Sequence, residues 1–142
     1  MISLTRSAAR YVSKLSNKLR RRLDRLSSRG EFSGSQGRTL HFLLAQTGDV
    51  YQKNIEEEYS IRPSTATELL QQMEKSGLIV RVPDERDSRM KRITLTDKAL
   101  TYRSQVVRDL TDLEQTLVAG IPEDDLETFF RVIERMMENL SG

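Results

Sequence analysis

The chain contains no cysteine. Disulfides, thiolate-held metals and thiol redox sensing are thereby excluded. Histidine is almost as scarce: His41 stands alone, and one imidazole without thiolates is a poor start for a zinc site, so no metal is expected. No apolar run approaches bilayer-spanning length, and no apolar core follows the basic start as it would in a signal peptide. The expectation is a cytoplasmic chain with no membrane segment. Catalytic chemistry is missing too. There is no nucleophile–histidine pair, Gly-rich phosphate loop or carboxylate–histidine cluster, so the sequence does not read as an enzyme and no cofactor is expected.

What is present is charge and helical periodicity. With 142 residues, 37% of them hydrophobic and 31% charged, the chain suits one helix-rich domain with a modest core. Its net charge of +2 conceals a strong gradient. Residues 1–30 hold nine Lys/Arg against one Asp, residues 31–108 are nearly balanced, and residues 109–142 hold two basic against nine acidic side chains. Two readings stay open: a basic head and acidic tail that attract each other within or between chains, or two solvated helix surfaces of different sign.

Apolar residues at Leu4, Ala8, Tyr11, Val12, Leu15, Leu19, Leu23 and Leu26 predict a first amphipathic helix from Ser3. Ser33 and Gln36 fit a capping box opening a second helix through Leu44. A short third helix fits Gln52 to Tyr59. Pro63 sits well at the first position of a fourth, which runs to Ser76 and stops at Gly77. Thr96-Asp97 starts a long fifth helix reaching about Ala119, and Gly120-Ile121-Pro122 separates it from a final helix.

Between the fourth and fifth helices lie two short β-branched runs, Leu78 to Val82 and Arg92 to Leu95, around a polar tip. They read as a hairpin. Its tip carries Arg86, Arg89, Lys91 and Arg92, a charge suited to a polyanion, interrupted by Asp84, Glu85 and Asp87, which order the tip through ion pairs. The element order is that of a mainly α fold with a small β-hairpin: a winged helix-turn-helix flanked by helical arms. The arms cannot bury their apolar stripes on so small a centre, which predicts a second copy of the chain as partner.

In the fourth helix, Ala66, Leu69, Leu70 and Met73 define a buried face. Ser64, Thr67, Glu68, Gln71 and Lys75 lie opposite, with Thr65 and Gln72 at the margins. Small polar residues at a helix start allow close approach to phosphates and base edges; Gln71 can pair with adenine and Glu68 can accept from cytosine. Ser64 and Thr65 are equally compatible with ordinary helix-start roles, since Thr65-x-x-Glu68 also fits a capping box. A basic wing beside this helix favours one DNA-gripping device, helix in the major groove and wing on the backbone or minor groove.

These residues resemble the MarR family (multiple antibiotic resistance regulators). Ile61 to Leu70 looks like its recognition helix, and Met73-Glu74-Lys75-Ser76-Gly77-Leu78-Ile79 is similar to the continuation of that helix. Asp87-Ser88-Arg89 followed by Leu95-Thr96 matches its wing signature, and Phe32-Ser33 with Gln36 and Leu40 is similar to the start of its second helix. The resemblance implies a homodimer with interlocking terminal helices (residues 1–30 and 109–142) around a winged lobe (residues 31–108) in one domain. It also implies a pseudo-palindromic double-stranded DNA operator and a small-molecule effector held between arms and lobe. Carried over, Arg89 enters the minor groove with Asp87 orienting it, and Ser64, Thr65, Thr67 and Glu68 occupy base- or phosphate-contacting positions. Glu68 departs from the arginine of many relatives, and Ser60 replaces a frequent glycine.

For an effector, the candidates are Tyr11 on the first helix and His41 on the second, with the many arginines suggesting an anionic or phenolic ligand. A structural hydrogen-bonding histidine is the plainer reading of His41. The rival to the whole scheme is a winged-helix module that binds protein without specific DNA recognition, a reading to which the acidic tail and Glu56-Glu57-Glu58 contribute.

Overall fold

A computed structural model describes residues 3–28 and 34–141. The chain divides into two compact units, Met1–Asp109 and Leu110–Gly142. The first contains α1 (Ala8–Ser28), α2 (Gly34–Ala45), β1 (Val50–Tyr51), α3 (Gln52–Tyr59), α4 (Pro63–Lys75), β2 (Ile79–Pro83), β3 (Lys91–Leu95) and α5 (Asp97–Leu100). Helix α6 (Arg103–Val118) begins in the first unit and ends in the second, which also holds α7 (Glu123–Leu140).

The first helix begins at Ala8, not Ser3, because Ser7 Oγ accepts the Arg10 N–H at 3.1 Å and caps the start. The capping box at Ser33 lies outside the described residues. Gln36 is described, and its Oε1 accepts from Ser76 Oγ at 2.9 Å.

In the first unit, Leu40, Leu43 and Leu44 of α2 form a core with Ile55, Ala66, Leu70 and Met73 of α3 and α4. Leu78, Ile79, Ile93, Ala99 and Val106 close it from the sheet side. The buried face of α4 is thus as expected at three positions, whereas Leu69 is only half-buried. Helix α4 ends in a Schellman arrangement: Gly77 at φ +75° sends its N–H to Glu74 O, and Leu78 N–H reaches Met73 O, both at 3.0 Å. Glycine supplies the left-handed turn without a Cβ penalty. Thr96 Oγ1 then donates to Gly77 O and accepts the Ala99 N–H, fixing where the sheet hands over to α5.

The hairpin is present, and it is one part of a larger sheet. Strand β1 pairs antiparallel with β3 (Val50 with Ile93, Tyr51 with Arg92), giving the order β1-β3-β2. The expected long fifth helix is divided. At Thr101 and Tyr102 the backbone bonds tighten to i→i−3, with Thr101 N–H to Lys98 O at 3.3 Å and Tyr102 N–H to Ala99 O at 3.1 Å. Thr101 Oγ1 also takes Lys98 O at 2.7 Å, so a side chain competes for the carbonyl at the break.

The second unit is an amphipathic helical segment. Gly120 at φ +79° ends α6, and Pro122 is the residue before α7. Glu123, Asp124 and Asp125 in the first turn of α7 complement its positive dipole end. Helix α7 has no fully buried residue: Leu126, Ile133 and Met136 are half-covered, while Phe129, Phe130, Val132 and Met137 are exposed. Among the described residues, no helix is long and apolar enough to cross a membrane.

Candidate nucleic-acid interface

Helix α4 opens after Arg62, whose backbone is extended, with Pro63 at the first helical position and no side chain capping the start. Ser64, Thr65, Glu68 and Gln71 are exposed along one side of it. Thr67 is half-buried and its hydroxyl is committed within the protein. It donates to Pro63 O at 2.9 Å and accepts from Gln52 Nε2 at 3.0 Å. Gln52 Nε2 also lies 3.2 Å from both Pro63 O and Glu56 Oε2, so the first residue of α3 braces the first turn of α4. Glu56 is occupied by that contact, Glu57 pairs with Lys53 at 3.9 Å, and the three consecutive carboxylates do not form one acidic face.

The wing tip is ordered by its aspartates. Asp84 N–H bonds Met90 O at 2.8 Å and Met90 N–H bonds Asp87 O at 2.9 Å, closing the loop. Asp87 Oδ1 accepts the Arg89 backbone N–H at 3.0 Å and Arg89 Nε at 3.1 Å, while Oδ2 accepts Nη2 at 3.2 Å. This two-pronged pair fixes the guanidinium plane although the Arg89 side chain is 90% exposed. Arg89 holds the Asp87 carboxyl below its ordinary range, first through the side-chain bond and then through the backbone N–H. Arg86 and Lys91 are exposed and Arg92 is half-buried, so four basic residues accompany the tip with different freedom.

Asp84 has a second role that sequence reasoning missed. Its Oδ1 accepts the Tyr51 hydroxyl at 2.7 Å and its Oδ2 accepts the Arg86 N–H at 3.1 Å. The Tyr51 bond lowers the Asp84 pKa, and the same bond raises that of the Tyr51 phenol. Gln52, Glu74 and Arg81 were also overlooked. Arg81 on β2 binds Glu74 on α4, tying the helix to the strand that leads into the wing. Only the charge-rich tip around Asp84 carried a signal for any of these contacts.

A cleft of about 720 Å³ lies among α1, α2, α3 and α4. Leu19, Arg20 and Leu23 line one side, Arg38 and Tyr59 another, and Thr65, Glu68 and Gln72 of α4 a third. The sequence candidates for an effector site are elsewhere. Tyr11 is exposed on α1 with Lys14 Nζ 5.7 Å from its ring centre, and His41 is half-buried on α2; neither lines the cleft. Burial holds the Tyr59 phenol above its ordinary pKa, and its hydroxyl donates to Arg38 O at 3.1 Å. Among the described residues, no cluster of His, Cys, Asp and Glu is suited to hold a metal ion.

Residues 32–90 match the sequence profile of the MarR family. Over nearly its whole length the chain is also similar to solved structures. The transcription regulator MarR from Oenococcus oeni PSU-1 is 28% identical with a TM-score of 0.79, covering 92% of this chain and 98% of that one. MepR of S. aureus, solved as a DNA complex, is 25% identical with a TM-score of 0.77, covering 96% and 99%. The heme-free form of PefR is 30% identical with a TM-score of 0.60, covering 92% and 98%. With the profile match running from the second helix to the wing tip and similarity to solved structures running almost end to end, this chain belongs to the MarR family, whose members are transcription regulators and not enzymes.

Proposed function

We propose that this protein is a sequence-specific DNA-binding regulator, acting as a homodimeric repressor of a pseudo-palindromic operator. The observation that carries the reading is the Asp87–Arg89 pair, an exposed guanidinium held in a fixed plane at the wing tip. A planar cation of this kind suits the narrow, electronegative minor groove. The open start of α4 supplies the second element. Ser64 and Thr65 meet phosphate or base edges, Glu68 and Gln71 read bases, and Thr67 positions the helix through Gln52. Arg86, Lys91 and Arg92 contact phosphates. MepR was solved in complex with DNA, which supports the same partner here.

Dimerisation through residues 1–30 and 109–142 rests on apolar surface left uncovered in each unit. Tyr11, Val12 and Leu15 are exposed on α1, and Phe129, Phe130 and Met137 on α7. A second copy that covers these stripes sets two α4 helices on successive major grooves, about 34–36 Å apart or a multiple of it.

Release by a small molecule is the remaining part of the proposal. The cleft lining balances Arg20 and Arg38 against Glu58 and Glu68, and an anionic or phenolic ligand held on the two arginines changes the spacing of the two lobes and lowers DNA affinity. PefR, described as a heme sensor and solved with heme and carbon monoxide, shows that a similar chain takes a small ligand. Selection of bound sequences from a random duplex pool tests the core of the reading. A palindromic enriched site is expected; no enrichment would sink it and favour the protein-binding alternative.

A further inference from the structure

Tyr51 stands at a junction. It is the last residue of β1, opposite Arg92 of β3, and the residue immediately before α3. Its backbone N–H donates to Asn54 Oδ1 at 2.8 Å, which secures the start of that helix. Its hydroxyl crosses to Asp84, 33 residues away, at 2.7 Å. Asp84 follows the last residue of β2 and begins the wing tip. Its second oxygen binds the Arg86 N–H, and its own N–H closes the loop on Met90 O.

The sheet explains why such a tie matters. Pairing between β1 and β3 ends at Arg92, whereas β2 and β3 run on together to the Pro83–Lys91 pair. Beyond Arg92 the wing is a two-stranded ribbon, and such ribbons are marginal when unsupported. The Tyr51 side chain extends the support of β1 past the end of its backbone pairing. A hydroxyl bonded to an ionised carboxylate is among the stronger hydrogen bonds available. Thus the residue that starts the helix-turn-helix also holds the residue that starts the wing tip.

We infer that Tyr51 is a positioning residue for DNA recognition, holding the wing through Asp84 so that Arg89 is presented at a fixed attitude to the reading helix. This rests on the DNA-binding reading above. Tyr51 itself need touch no DNA, and its effect passes through the wing.

Tyr51→Phe removes only the hydroxyl. Operator affinity, measured by fluorescence anisotropy on a site from the random-pool selection, is expected to fall about fivefold, the scale of one hydrogen bond. In an Arg89→Ala background the same substitution is expected to cost less than about twofold, because the contact it serves is gone. Unchanged affinity in the parent background, or equal losses in both, would overturn the inference while leaving DNA binding intact. Backbone ¹⁵N order parameters provide a readout that needs no DNA. In Tyr51→Phe they are expected to fall at residues 85–89 and to hold in the core of the sheet. If the parent protein selects no DNA, the functional reading fails by itself. Unchanged order at the tip then overturns the tie, and a confined loss upholds it.

Discussion

Arg81 on β2 donates from both Nε and Nη2 to a single carboxylate oxygen of Glu74 on α4, at 3.1 and 2.8 Å. They stand seven positions apart in sequence, across the helix end and the turn at Gly77. The pair is sheltered, with side-chain exposures of 20% and 34%, so solvent screens it less than a surface ion pair. Arg81→Met keeps the length of the stem and removes the donors. We expect a loss of about 1–2 kcal/mol in urea unfolding, above the usual surface-pair value because a half-covered carboxylate loses its partner. A loss indistinguishable from zero would show that the pair is incidental.

Arg89 is expected to resist conservative replacement. Lysine preserves charge and cannot reproduce the two-pronged contact with Asp87. Arg89→Ala should weaken operator binding about tenfold or more and reduce the slope of log affinity against log salt. Arg89→Lys should recover part of the salt slope but little of the sequence preference in flanking A·T steps. Full recovery of both by lysine would mean that a point charge suffices and that Asp87 does not set the geometry.

The distribution of what the sequence revealed has a physical basis. Helices α3 and α4 were legible because their apolar spacing, Pro63 and Gly77 are local signals, and the hairpin declared itself through β-branched alternation. Strand β1 was not legible: two residues make no pattern, and Val50 becomes a strand residue only by pairing with Ile93. Thr67 belongs to the polar side of α4 by helical spacing alone, yet Gln52, fifteen residues earlier, occupies its hydroxyl. The same limit applies to the cleft, whose lining comes from four helices and the turn residue Ile61, so no run of sequence marks it and neither Tyr11 nor His41 belongs to it.

Ser60 is the one described non-glycine residue with positive φ, at φ 51° and ψ 47°, in the turn between α3 and α4. A Cβ in this left-handed conformation is strained, which glycine avoids. Glycine also enlarges the entropy of the unfolded chain, and this offsets part of the gain. Ser60→Gly is expected to stabilise the protein by about 0.5–1 kcal/mol, raising the melting temperature by about 2–4 °C. Operator affinity should not fall, since the turn already holds the required conformation. A lower melting temperature would show that the serine side chain makes a compensating contribution.

The wing should be ordered across a broad but bounded pH range. Asp84 and Asp87 both have pKa values held below 3.8 in the folded protein, Asp84 mainly by Tyr51 and Asp87 mainly by Arg89. A lowered carboxyl pKa contributes order that is present above 3.8 and is lost as the pH falls through the lowered values. Tyr51 works at the other end. Its phenol is raised above 10.0, so its contribution is full below that value and disappears as the pH rises through the folded pKa. The side-chain carboxyl ¹³C resonance of Asp84, which accepts from Tyr51 and does not exchange with water, should therefore move once in acid and once in strong alkali. In Tyr51→Phe the alkaline step should vanish and the acid midpoint of Asp84 should rise toward 3.8. An unshifted acid midpoint in that variant would mean that the hydroxyl does not hold the carboxylate in solution.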